Sequence, residues 1–316
     1  MRNEIRIGTR GSRLALWQAG YVARQLSAQY PGTEVRLVTI STRGDRVLEM
    51  PLAEIGGKGL FTQEIEREIS DGRIDMAVHS LKDVPAVLPE GLMIGAVLKR
   101  AEVRDALVSR SGASLQALPA GARVGTSSLR RRAQLLAVRP DLTVTVLRGN
   151  VDTRLKKLEQ GGLEAVILAA AGLERLGLGE KITELLPVEI MLPAVGQGIL
   201  AVELRKDDTG LREQLAFLTD FDTEAAARAE RSFLRRIDGS CQVPVGVFAE
   251  AVPGGLRLTA KVASLDGRRV VREQLLGAMT AAEQLGKELA ERILQNGGQE
   301  ILQEIGASAS DGGEKQ

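Results

Sequence analysis

The chain has 316 residues, more than one ordinary core accommodates, so two or three domains are expected. Its 42 Lys plus Arg stand against 41 Asp plus Glu, a formal net charge of +1, and aromatics make up 3%, which argues against nucleic acid or an anionic membrane as partner. One cysteine and one histidine exclude an internal disulfide and a multi-His metal site. The start, MRNEIRIGTRGSRLAL, lacks the apolar core of a secretion signal, so a cytoplasmic protein is expected.

IRIG at 5–8 predicts a short buried strand, followed by the loop Thr9-Arg10-Gly11-Ser12 and an amphipathic helix over about 13–30 that Pro31-Gly32 ends. EVRLVTI at 34–40 alternates and is β-branched, hence a strand, and 41–59 is a long polar loop containing GGKG, of a length usually tied to function. A helix over 61–70 and a strand over 74–80 complete an alternation that predicts a parallel sheet with crossover helices. LMIGAVL at 92–98 is another strand, and the charged KRAEVRD after it reads as a hinge. The alternation then restarts, with strands over 122–126, 142–149 and 164–170 and helices from about Leu129 and Asp152. A strand within 192–205 has no helical partner behind it and is expected to return to the first sheet. A helix over 223–237, strands over 245–250, 256–264 and 269–276, and a helix over 280–295 form an α+β part, and the polar tail ASASDGGEKQ is expected to be disordered.

From Arg123 to Arg154 there are seven arginines, no lysines and two aspartates, a local excess of five positive charges in a nearly neutral chain. Thr126, Ser127 and Ser128 follow a strand and open a helix, where free N–H groups and the helix dipole favour an anion. Arg130 and Arg131 in the first turn oppose that dipole, so a bound anion is expected to offset them. Arg130, Arg131 and Arg132 point about 100° apart and cannot all face one ligand. Arg148-Gly149 and Arg154 fall at the next strand-to-helix turn, where parallel sheets bind ligands. Planar forks pair bidentately with carboxylate or phosphate, so several of them suggest a ligand with several acidic groups. His79 reads as a structural hydrogen-bonder. Asp83, beside Lys82 and ahead of Pro85, is either an ionised group that stabilises a cation and moves a proton, or a loop ion pair.

The single cysteine, Cys241, sits in GSCQVP at 239–244, a loop by its Gly239 and Pro244. A lone thiol is either an inert core residue or a reactive sulfur, and the loop setting leans towards the second.

Taken in order, IGTRGSRLAL (7–16), TRGD (42–45), GGKGLF (56–61), DMAVHSLKDVP (75–85), GTSSLRRRAQL (125–135), LRGNVDTRL (147–155), AAAGLERLGL (169–178), LPAVGQG (192–198) and GSCQVPVG (239–246) closely resemble the porphobilinogen deaminases, or hydroxymethylbilane synthases. The resemblance implies two periplasmic-binding-protein-like α/β domains, over 1–98 with 199–217 and over 104–193, and a C-terminal α+β domain over 221–308, leaving 309–316 as a disordered tail. It implies a transferase of porphyrin biosynthesis, monomeric, with a dipyrromethane cofactor attached through a thioether to Cys241. Four porphobilinogen units would be added head to tail, each losing ammonia, before water releases hydroxymethylbilane. It also implies that Lys82, Asp83, Thr126, Ser127, Ser128, Arg130, Arg131, Arg148 and Gly149 contact the cofactor. Arg10, Ser12, Phe61, Arg148, Arg154 and Arg175 would hold substrate, Asp83 would be catalytic, and Lys58 would lie in a loop over the cleft. Position 54 is Glu where the family often has Lys. The rival readings are a plain anion-binding module, which needs neither Cys241 nor Asp83, and a nucleic-acid binder, which the net charge opposes.

Overall fold

We describe a computed structural model of the chain, over residues 2–46, 62–237 and 243–311. The first sheet pairs β1 (Glu4–Thr9), β2 (Glu34–Thr39) and β3 (Met76–Ser80) in parallel, with β4 (Leu92–Val97) at its far edge. Helix α1 (Arg13–Gln29) begins where the Ser12 hydroxyl accepts the Ala15 N–H at 3.3 Å. Its stripe Ala19, Val22 and Leu26 packs on Ile5, Ile7 and Met76. Burying each large apolar side chain there contributes about 1.5–3 kcal/mol. A short turn of helix, α2 (Arg43–Arg46), follows β2, and α3 (Gln63–Ser70) covers another part of the sheet with Ile65 and Ile69 against Ile74 and Leu92.

The second sheet contains β5 (Asp105–Ser109), β6 (Arg123–Gly125), β7 (Thr143–Thr145), β8 (Ala165–Ala169) and β9 (Glu184–Leu186), in the order β7-β6-β8-β5-β9. Helices α4 (Leu129–Val138), α5 (Val151–Glu159) and α6 (Ala170–Arg175) follow its three parallel strands. Beyond α6 the chain crosses back as β10 (Leu200–Arg205), which inserts between β3 and β4, so the first sheet reads β2-β1-β3-β10-β4. The returning strand is where the sequence places it, but both sheets are mixed rather than parallel: β10 is antiparallel to β3 and β4, and β5 to β8 and β9. Each antiparallel strand is the one by which the chain enters or re-enters its sheet. A crossover helix is therefore not required there.

After α7 (Thr209–Leu215), α8 (Phe221–Arg236) leads to an antiparallel sheet of β11 (Val245–Val252), β12 (Gly255–Ala263) and β13 (Val270–Gly277). Helix α9 (Ala282–Ile293) packs with α8 on this sheet around Phe233, Val247, Leu258, Leu289 and Ile293. A further helix, α10 (Gln299–Asp311), runs into the stretch for which polar composition suggests disorder. Gly246 lies so close to the second unit that an added Cβ would stand 2.6 Å from the Leu192 carbonyl oxygen.

The charged stretch after β4 is not a free linker. Arg100 donates to Glu230 of α8 at 2.7 and 3.1 Å and to the carbonyls of Gln197 and Ala249. Glu230, fully buried, also accepts the N–H groups of Gly196 and Ala249 at 2.7 and 2.8 Å. One ion pair thus ties both interdomain crossings to the third unit.

Candidate active site

The turns singled out in the sequence fall together at the C-terminal ends of parallel strands. Thr9–Ser12 follows β1, a single 3-10 turn Leu81–Asp83 follows β3, and Thr126–Ser128 follows β6. Arg148-Gly149 lies between β7 and α5, and Arg175 ends α6. Gly149 takes φ +114°, a conformation that favours glycine, and the Asn150 side chain then accepts the Thr153 N–H at 2.9 Å to open α5. The two α/β units meet across this region. Arg13 at the start of α1 pairs with Asp152 at 2.6 Å, and Arg175 donates to the Gly198 carbonyl at 2.7 Å.

At the start of α4, Ser128 is the N-cap, and its own N–H reaches the Thr126 hydroxyl at 3.2 Å. The anion expected to offset Arg130 and Arg131 belongs to the chain itself, at least in part. Asp105, fully buried at the start of β5, stands 2.8 Å from Arg130 Nη1 and 2.7 Å from Arg131 Nη2. It also accepts from Arg131 Nε at 3.1 Å and Gln197 Nε2 at 3.0 Å. Burial opposes its ionisation, but the two guanidiniums outweigh burial and hold the carboxyl well below the usual range. One carboxylate between two cations leaves one charge over. Arg132 points elsewhere, to the Leu265 carbonyl, and Arg139 caps the carbonyls of Leu115 and Leu118.

The remaining cations feel one another. Burial, the largest cause, pushes Lys82 down to about 8; Asp83 and Asp105 partly restore it, while Arg131 and Arg130 lower it further. Lys82 nevertheless keeps some exposed surface. Burial likewise lowers Arg154 to about 10, with Arg131 and Arg148 lowering it further and Asp83 opposing them, and Arg175 to about 10. Arg154 Nε donates to the Gly149 carbonyl at 2.8 Å. Arg148 Nη1 is buried yet has no hydrogen-bond partner among the described residues. A buried, unpaired guanidinium nitrogen is costly unless an acceptor arrives. The donor set therefore fits a ligand bearing several carboxylates, as a dipyrromethane with acetate and propionate arms would be.

Asp83 is exposed and, with Arg10, Gln18, His79 and Ser80, lines a pocket between α1 and β3. Gln18 Nε2 donates to the Ser80 hydroxyl at 2.8 Å, so the floor of the pocket is polar and fixed. His79 is buried beneath the site, with Nε2 3.1 Å from a Glu203 carboxylate oxygen. Burial pushes the nearby Glu66 carboxyl up, with Glu203 adding to the rise and Thr62 and His79 opposing it.

Lys58, Phe61 and Cys241, together with Glu54, lie outside the described residues. Sequence reasoning missed Asp105 and Gln197. Asp105 opens a five-residue strand that was not foreseen, and its partners are 25 and 26 positions away, with no local motif to announce them.

Residues 5–213 match the family model described as porphobilinogen deaminase, dipyromethane cofactor binding domain, and residues 225–295 match the porphobilinogen deaminase C-terminal domain. A porphobilinogen deaminase of Geobacter sulfurreducens is 52% identical over 303 residues, covering 96% of this chain and 95% of its own. One from Pelobacter propionicus is 52% identical over 302 residues, covering 96% and 97%. One from Carboxydothermus hydrogenoformans is 49% identical over 311 residues, covering 98% of this chain and 100% of its own. At this identity over almost the whole length, the chain belongs to the porphobilinogen deaminase family, whose members are transferases built around a dipyrromethane.

Proposed function

We propose that this cleft extends a dipyrromethane anchored on Cys241 by four porphobilinogen units and releases hydroxymethylbilane. The observation that supports it most is the convergence of Lys82, Arg130, Arg131, Arg148 and Arg154 on the region of Asp83, with Arg148 Nη1 buried and without a partner among the described residues. When bound, the dipyrromethane supplies the nucleophilic pyrrole carbon from which the chain grows. Lys82, Arg130 and Arg131, with Thr126, Ser127, Ser128, Arg148 and Gly149, hold its carboxylates. Arg10, Ser12, Phe61, Arg148, Arg154 and Arg175 receive those of incoming porphobilinogen, and Lys58 lies in the covering loop.

At each addition the substrate's C–N bond breaks, ammonia leaves, and a carbon–carbon bond forms to the electron-poor methylene carbon. The pyrrole carbon that attacked then gives up its proton. Asp83 faces both events: its carboxylate stabilises positive charge through pyrrole N–H groups, and it passes the proton. The near-zero net charge and the inward placement of the arginines support a protein that does not bind nucleic acid. Among the described residues no helix is long and apolar enough to cross a membrane, and a cytoplasmic monomer completes the reading.

The test is the intact mass of the native protein beside Cys241→Ser. An excess over the sequence mass equal to two linked pyrrole units, present only with the cysteine, is expected. A bare mass that porphobilinogen does not raise would remove the synthase reading. Arg148→Lys keeps the charge but loses the fork. It is expected to slow elongation about 10- to 150-fold, the equivalent of one charge-assisted hydrogen bond at about 1.5–3 kcal/mol. Unchanged rates at every addition, followed by mass spectrometry of the stalled complexes, would remove Arg148 from the substrate contacts.

A further inference from the structure

Helix α8 carries a second buried charge beside Glu230. Arg231 is 9% exposed, and among the described residues it makes no ion pair. Its guanidinium donates instead to three successive carbonyls across the domain boundary: Val84 at 3.4 Å, Pro85 at 2.8 Å and Ala86 at 3.3 Å. Burial lowers Arg231 to about 10, Arg235 lowers it further and Glu203 opposes them. Placing a cation there is unfavourable unless those carbonyls compensate. The three carbonyls belong to the segment directly behind Asp83, and the Val84 N–H closes the aspartate turn onto Leu81 at 3.1 Å. One helical turn earlier on α8, Ala227 packs against Leu81, Val84 and Ile199. The same helix ends at Arg236, five positions before Cys241.

We propose that Arg231 is a positioning residue for Asp83, fixing the aspartate turn against the helix that leads to the cofactor cysteine. This rests on the reading of Asp83 as the catalytic carboxylate. The planar fork reaches the three carbonyls from two nitrogens, Nη1 to Val84 and Nη2 to Pro85 and Ala86, whereas an ammonium would have to reach all three from one. An Asp83 turn released from α8 shifts relative to the anchored chain, and a misplacement of about 1 Å costs on the order of 10²-fold in rate.

The experiment uses holoenzyme, with the cofactor verified by intact mass, in wild type, Arg231→Met, Arg231→Lys, Asp83→Asn and the Arg231→Met/Asp83→Asn double variant. Arg231→Met is expected to lower kcat about 10- to 100-fold with KM for porphobilinogen within about twofold. Arg231→Lys should recover part of the loss, and Arg231→Met should add nothing in the Asp83→Asn background. Wild-type kcat per mole of holoenzyme in Arg231→Met, even with a lowered Tm, would show a merely structural residue and overturn the proposal. If Arg231→Met does not fold, wild-type kcat in Arg231→Lys overturns it equally. Failure of the underlying reading shows separately, as near-normal turnover in Asp83→Asn alone.

Discussion

Asp83→Asn is expected to lower turnover by about 10²- to 10⁴-fold, the usual worth of a positioned general acid or base, while leaving the fold and the bound cofactor intact. Asn has the same shape but cannot hold negative charge next to a developing cation or take up a proton. The substitution is structurally mild: Asp83 is exposed, and the turn that holds it is closed by the Val84 N–H on the Leu81 carbonyl and by Arg231 on the carbonyls beyond. Exposed substitutions of this kind usually change stability by less than about 0.5 kcal/mol. Steady-state kcat and the intact mass of the same preparation check both halves. Turnover near wild type would remove Asp83 from the chemistry. Loss of the cofactor mass would instead place it among the groups that hold or assemble the dipyrromethane.

The parallel strands and their helices were legible because they obey local rules. The apolar run of β3 reads as a buried strand, and Ser12 before an amphipathic stripe marks the start of α1. The ligand-facing turns were legible too, since Arg10, Asp83, Thr126 and Arg148 all stand just after strand patterns. What escaped was non-local. β5 and β9 are five and three residues long, and they exist because a neighbouring strand offers unpaired N–H and C=O groups, not because their own pattern demands it. Of the 142–149 strand expected from LTVTVLRG only Thr143–Thr145 pairs, because β6, its partner, is itself just three residues long. The roles of Asp105, Glu230 and Arg231 come from contacts 19 to 147 positions apart. On sequence alone, Glu230 and Arg231 are one more charged pair on a helix.

Asp105→Ala is expected to be among the most destabilising single substitutions in the chain, by about 3–5 kcal/mol, because it leaves two buried guanidiniums without their shared carboxylate. Arg131 loses acceptors at 3.1 and 2.7 Å, Gln197 loses one at 3.0 Å, and Arg130 keeps only the Leu192 carbonyl at 2.7 Å among the described residues. An exposed pair such as Arg36–Glu34, at 2.8 Å, is screened by solvent, contributes little and serves as the control. The state of the cofactor decides how much of the penalty shows. In the Cys241→Ser background nothing replaces the lost carboxylate, and the full destabilisation is expected in urea unfolding. If the acids of the bound dipyrromethane face Arg130 and Arg131, as proposed above, they offset part of the cost, so the holo variant should lose less than the apo variant. The pH dependence has a fixed sign. The folded protein holds the Asp105 carboxyl below its ordinary range, so its contribution is complete above the unfolded value near 3.9 and is lost as pH falls through the lower folded value. Wild type and variant should therefore differ most at neutral pH and converge on acidification. A difference below about 1 kcal/mol in both backgrounds would mean that Arg130 and Arg131 find other partners when Asp105 is gone. An equal loss in both would mean that the cofactor's acids do not reach these arginines.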